Sequence, residues 1–305
     1  MSSTKSNGDV HSIVTSQIID QLSNGIVPWK ITLTGNSLPK NATSQKTYRG
    51  INTWLLLGHH FKQNLFLSEA QVKQLGGSIN PPGDSGFPVV YWKTLEGEEK
   101  PSIQSITVFN TEQCTGIPKD KIPLPVKASI DPIKKCESLF TTMFNPPKIQ
   151  HEKENTVYYD PERDFIQIPP MQQFESPDLY YLTLFSELVR SAYHPSRPLK
   201  TEIEIKQCNA EPFTLEALVA EMGASYLAQW AGLKVEVAEE DETYFNTWIK
   251  LFTEDKYLLV KAGTIAQKAV DSIINGRGKS EVPQLEQTTI PIEDEKPKRG
   301  QRKRN

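Results

Sequence analysis

Cysteine is scarce. Cys114, Cys136 and Cys208 are three in 305 residues, odd in number and never paired as CxxC. That excludes a disulfide framework and a cysteine-based zinc ribbon, and it predicts a reducing, cytoplasmic setting. Long apolar runs are missing as well. A membrane helix needs about 20 apolar residues, and runs such as residues 53–57 fall far short. Residues 1–9 are polar and lack the apolar stretch of a secretory signal. No internal repeat is present. What remains is the composition of a soluble globular chain, 37% hydrophobic and 23% charged, long enough for about two domains.

The net charge of -3 is unevenly spread. Residues 1–130 hold 12 Lys/Arg against 9 Asp/Glu, whereas residues 131–280 hold 16 against 23. The end turns basic again, with six Lys/Arg in residues 296–304. A polyanionic partner is therefore expected at the front or the tail, not in the acidic middle.

Periodicity sets the elements. Ile13, Val14, Ile18, Ile19 and Leu22 recur at helical spacing, and Asn24-Gly25 ends that helix. Residues 32–46 read as a polar loop. Residues 48–57 and 68–75 read as short helices. Residues 88–92 and 105–109 read as strands from their β-branched and aromatic content. Prolines and lysines at 117–128 suggest a linker. Residues 130–144 read as a helix, and residues 156–159 and 165–168 as a hairpin. Ser176-Pro177 starts a helix running to about residue 193. Thr214 and Gly232 bracket another, and helices at 241–252 and 255–275 close the fold. The expected class is α+β, with a mixed α+β first domain and a mainly helical second domain carrying a β-hairpin. The expected boundaries are a disordered leader at 1–9, domains at 10–118 and 130–276, a linker at 119–129, and a disordered basic tail at 277–305.

Several ordered motifs resemble one family. Asn24-Gly-Ile-Val-Pro-Trp29, Pro39-Lys-Asn41, Tyr48-Arg-Gly-Ile-Asn52, Gln74-Leu-Gly-Gly77, Pro88-Val-Val-Tyr-Trp-Lys93 and Val108-Phe-Asn110 resemble the N-terminal single-stranded-DNA-binding domain of ArdC-type antirestriction proteins. Tyr158-Tyr-Asp-Pro-Glu-Arg-Asp164, residues 182–197 and the Glu216 helix resemble that family's zincin-like metallopeptidase domain. The resemblance implies a protein of mobile DNA that coats entering single strands and shields them from host restriction or nuclease proteins.

One segment departs from the family. Its active-site helix carries H-E-x-x-H, with two histidines on one face for zinc and a glutamate to activate water. Here the run is Ser186-Glu187-Leu188-Val189-Arg190. A neutral hydroxyl is not a usual zinc ligand, and arginine has no lone pair to give. The expectation is therefore no metal cofactor, zinc included, with Glu187 a vestigial base. Ser186, Arg190, Glu216 and Glu221 then mark a former metal site, in which Arg190 pairs with Glu187, Glu216 or Glu221. His194 with Glu216 and Glu221 is a salvage metal site to be checked.

Single-strand binding needs cations for phosphates and flat rings for bases. The candidates are Trp29, Lys30, Lys40, Asn41, Lys46, Tyr48, Arg49, Asn52 and Lys93, with Tyr91 nearby and Trp54 and Trp92 expected in the core. The turn at residues 80–86 lacks the basic residues usual in the family, which leaves the tail to compensate. Two rival readings stand beside this one: an active zinc metallopeptidase with a rearranged site, and a protein-binding inhibitor of a host enzyme. No membrane partner is expected.

Overall fold

The computed structural model describes residues 9–30, 38–59, 61–94, 101–122, 131–152, 156–199, 211–234 and 240–276. The expected leader apart from Asp9, most of the linker, and the basic tail lie outside these residues.

The first half begins with α1 (Val10–Ser23), capped by Asp9, and a 3-10 turn at Pro28–Lys30. Then come β1 (Lys40–Asn41), α2 (Ile51–Leu57), β2 (Leu65–Ser68), α3 (Glu69–Gln74), β3 (Ser78–Ile79), β4 (Phe87–Lys93), β5 (Ser102–Asn110) and β6 (Cys114–Thr115). A four-stranded sheet forms in the order β1-β2-β5-β4, parallel only between β1 and β2. On one face Phe66, Val89 and Val108 pack with Tyr48 and Leu56. On the other, Leu65 and Leu67 meet Val72 of α3. Helix α3 starts sharply because Ser68 and Gln71 form a reciprocal capping box.

The second half contains α4 (Pro132–Thr142), β7 (Lys148–His151), β8 (Tyr158–Asp160), β9 (Phe165–Ile168), α5 (Pro177–Ser191), α6 (Leu215–Ala231), α7 (Glu242–Glu254) and α8 (Leu258–Asn275). The expected hairpin is β8–β9, and β7 adds a parallel strand on its far side. Helix α6 is buried along most of its length, so its neighbours surround it. Helices α5 and α6 approach closely at Gly223, where a Cβ would lie 2.7 Å from Val189 Cγ2.

The two halves share one core. Val14, Ile18, Leu22, Trp29 and Trp54 belong to the same buried cluster as Trp248, Phe252, Ile265 and Ala266. The linker therefore separates two stretches of sequence without marking a break in the packing. Helix α8 carries much of the joint through Gly263, Gln267 and Asp271, spaced four apart and so on one face. A Cβ on Gly263 would lie 2.8 Å from the Ile51 backbone nitrogen. The Gly50 N–H donates to Gln267 Oε1 at 3.0 Å, and the Arg49 guanidinium pairs with Asp271.

Candidate functional site

The Ser176 hydroxyl caps α5, accepting from the Leu179 N–H, and Pro177 sits in the first turn. Thr214 caps α6 in the same way and leaves Glu216 in its first turn. The close α5–α6 approach brings Glu216 to Arg190. Arg190 Nε donates to Glu216 Oε1 at 3.2 Å. Its Nη1 donates to Glu187 Oε1 at 2.6 Å and to Ser186 Oγ at 3.1 Å. All four side chains thus form one cluster. Burial pushes the Glu187 carboxyl up, and Arg190 and the Tyr159 backbone N–H pull it partly back. Burial likewise pushes Glu216 up against the pull of Arg190.

These residues do not fit a zinc ion. The Ser186 hydroxyl and the two carboxylates already face a guanidinium, which occupies the ground between the helices and repels a dication. Glu221 is not part of the cluster. It accepts instead from Trp29 Nε1 at 3.0 Å and from the Tyr244 hydroxyl at 2.8 Å, with Lys30 Nζ 3.6 Å away. His194 lies apart from Glu216 too. Its Nδ1 is 2.7 Å from Ser196 Oγ and 3.7 Å from Asp164, whose carboxylate holds the buried Arg197 by two bonds. The salvage metal site is therefore not assembled, and no group of three His, Cys, Asp or Glu suited to a metal occurs among the described residues.

Six of the nine DNA-binding candidates make contacts within the fold. Trp29 is 1% exposed and packs edge-on against Trp248 and Phe252, so it offers no face to a base. Tyr48 is buried against Phe66. Asn41 organises its own loop, accepting from the Thr43 and Ser44 N–H groups and donating to Gln71 Oε1. Asn52 accepts from the Val90 N–H and donates to the Val90 carbonyl, both at 2.7 Å. Lys30 pairs with Glu240 at 2.6 Å and lies over the Tyr244 ring. Arg49 is held by Asp271. Trp29, Lys30 and Arg49 thus bind the first half to the second.

Lys40 is half-buried, and Lys46 and Lys93 are exposed. Lys40 and Lys46 lie together at the β1 edge, where the Asn41 N–H donates to the Lys46 carbonyl. Lys93 stands at the far end of the opposite edge strand, β4. Beside it, Tyr91 and Trp92 are half-buried. Trp92 is not in the core, contrary to expectation, whereas Trp54 is. Tyr91 lies opposite Gln104 and Trp92 opposite Ile103, so the two rings point to opposite faces of the sheet. The available signal was the aromatic pair next to a lysine at the end of a strand.

Residues 8–127 match the family described as the N-terminal domain of anti-restriction factor ArdC, and residues 135–265 match the zincin-like metallopeptidase family. This is an ArdC-type chain. The crystal structure of antirestriction ArdC protein from plasmid R388, in its Mn(II)-bound form, superposes with a TM-score of 0.69 at 28% identity. That match covers 88% of this chain and 97% of the R388 protein. The metal-free form gives 0.68 at 27% identity. The DNA primase TraC of Escherichia coli is 27% identical over 87% of this chain, which spans only 27% of the primase. An uncharacterised protein of Sinorhizobium fredii, y4eC, is 25% identical over 86% of this chain and 91% of its own length. The R388 structure is Mn(II)-bound, whereas neither Ser186 nor Arg190 of this chain is a usual metal ligand. Among the described residues no helix is long and apolar enough to cross a membrane.

Proposed function

We propose that this chain is an antirestriction protein of plasmid or other mobile DNA that binds single strands and whose zincin-like half does not hydrolyse peptides. The observation that carries the binding reading is the outer end of the β4–β5 hairpin, where Tyr91 and Trp92 are half-buried, one on each face of the sheet, beside the exposed Lys93. Flat rings at a sheet edge with a cation next to them suit base stacking and phosphate contact. Lys40 and Lys46 at the other edge add sequence-independent attraction, as do the basic residues 296–304. The non-hydrolytic reading is supported by the donor set: Glu187 is bonded to Arg190, and among the described residues no metal-ligand group stands ready to activate a water.

The test is fluorescence anisotropy of a labelled oligonucleotide with the full chain over a salt series. Base stacking is worth about 1–3 kcal/mol per base, so Tyr91→Ala with Trp92→Ala should weaken binding by about tenfold or more. Lys93→Ala should flatten the salt dependence. Binding unchanged in both variants would remove the hairpin from the interface.

A further inference from the structure

The resemblance puts metal-binding histidines at positions 186 and 190, opposite a glutamate on the next long helix. In this chain position 190 brings its own cation. Arg190 spans the gap between α5 and α6, bonded to Ser186 and Glu187 on its own helix and to Glu216 on the other. Its side chain is 17% exposed, and those of Glu187 and Glu216 are 9% and 19% exposed. Glu187 is buried and Glu216 half-buried, and carboxylates so placed favour a partner charge, because an unpaired buried charge is costly. A guanidinium meets that need with directional N–H bonds to acceptors on both helices. The Val189–Gly223 approach fixes the distance across which it must reach.

We propose that the Arg190 guanidinium is a built-in replacement for the metal, a fixed cation that joins α5 to α6 and makes that joint independent of any bound ion. The proposal rests on the reading that this half does not hydrolyse peptides. One positive charge faces two carboxylates, so the cluster carries about half the countercharge a divalent ion would bring. The scaffold nevertheless keeps Glu216 facing positions 186 and 190. Restoring histidine at both should therefore exchange the guanidinium joint for a metal joint.

Thermal unfolding and metal analysis of the full-length protein test this, with EDTA, zinc or manganese added. The wild type should hold no stoichiometric metal and show no change in Tm with any of the three. Arg190→Met should lower Tm by roughly 5 °C or more, since it leaves buried carboxylates unpaired, and metal should not restore it. Arg190→Lys, which keeps the charge but loses the fork, should recover part of the drop and serves where Arg190→Met fails to fold. The S186H/R190H double variant should take up about one metal per chain and gain roughly 5 °C at a hundredfold excess over Kd. The proposal is overturned if the wild type retains stoichiometric metal, if Arg190→Met is as stable as wild type, or if the double variant takes up no metal. Peptide cleavage by a metal-free wild type, with the other results as expected, would sink the non-hydrolytic reading and leave the structural role of Arg190 standing.

Discussion

The indole N–H of Trp29 donates to the Glu221 carboxylate at 3.0 Å, across 192 positions of sequence. This bond sets a ring from the 3-10 turn at Pro28–Lys30 into the second half, where Tyr244, Trp248 and Phe252 surround it. Trp29→Phe keeps most of the packing and deletes the donor. Glu221 retains the Tyr244 hydroxyl and the nearby Lys30, so the cost should be about 1 kcal/mol in urea unfolding. Trp29→Ala also opens a cavity and should cost about 3–5 kcal/mol. Neither change should alter oligonucleotide affinity under conditions where the protein remains folded. A folded Trp29→Phe protein with wild-type stability and severalfold weaker binding would return this ring to the DNA interface.

Arg49 offers a test through pH. Its guanidinium pairs with Asp271, whose carboxyl is pushed up by burial and pulled back by Arg49 and Gln267. A carboxyl with a raised folded pKa favours the fold most when protonated. That contribution is full below the unfolded value of about 3.9 and is lost as pH rises through the folded value. Arg49→Met removes the first-named counterweight and extends the loss to higher pH. Arg49 is half-exposed, so the deficit at pH 7 should stay below about 1 kcal/mol. It should shrink as pH falls toward 4, read from urea midpoints at several pH values. A deficit that widens on acidification would contradict the pairing.

The helices were legible because their ends are written locally. Ser176-Pro177, Thr214 with Gly232, and Asn24-Gly25 each state a cap in adjacent residues, and the helices follow. Strand β2 was not legible, because Leu65–Ser68 is a short apolar run running straight into the cap of α3. Strand β7 was missed because its side chains are mostly exposed and its pairing partner lies beyond β8. In the candidate site, the replacement of both histidines could be read directly, and an Arg190–Glu187 pair follows from their i,i+3 spacing. The contacts of the DNA candidates were less legible. Exposed and buried aromatics look alike in sequence, and the partners of Trp29, Lys30 and Arg49 lie about 190 to 220 positions away.

Asn52 shows what such a polar residue does when it turns inward. Strand β4 is the edge of its sheet, and an edge strand presents unpaired N–H and C=O groups. The Asn52 amide satisfies both groups of Val90, taking the place of a neighbouring strand. Pro88, two residues earlier, has no N–H to present. Asn52→Ala would leave a buried donor and a buried acceptor without partners, each worth about 1–3 kcal/mol. The expected loss is roughly 2–4 kcal/mol in urea unfolding, with a gain in self-association by light scattering as the edge opens. Asn52→Asp separates the two bonds, since a carboxylate can accept from the Val90 N–H but cannot donate to its carbonyl at neutral pH. It should be destabilised too, and should improve as the pH is lowered and the carboxyl takes up a proton. An Asn52→Ala protein with wild-type stability and no added association would show that water serves the Val90 groups equally well.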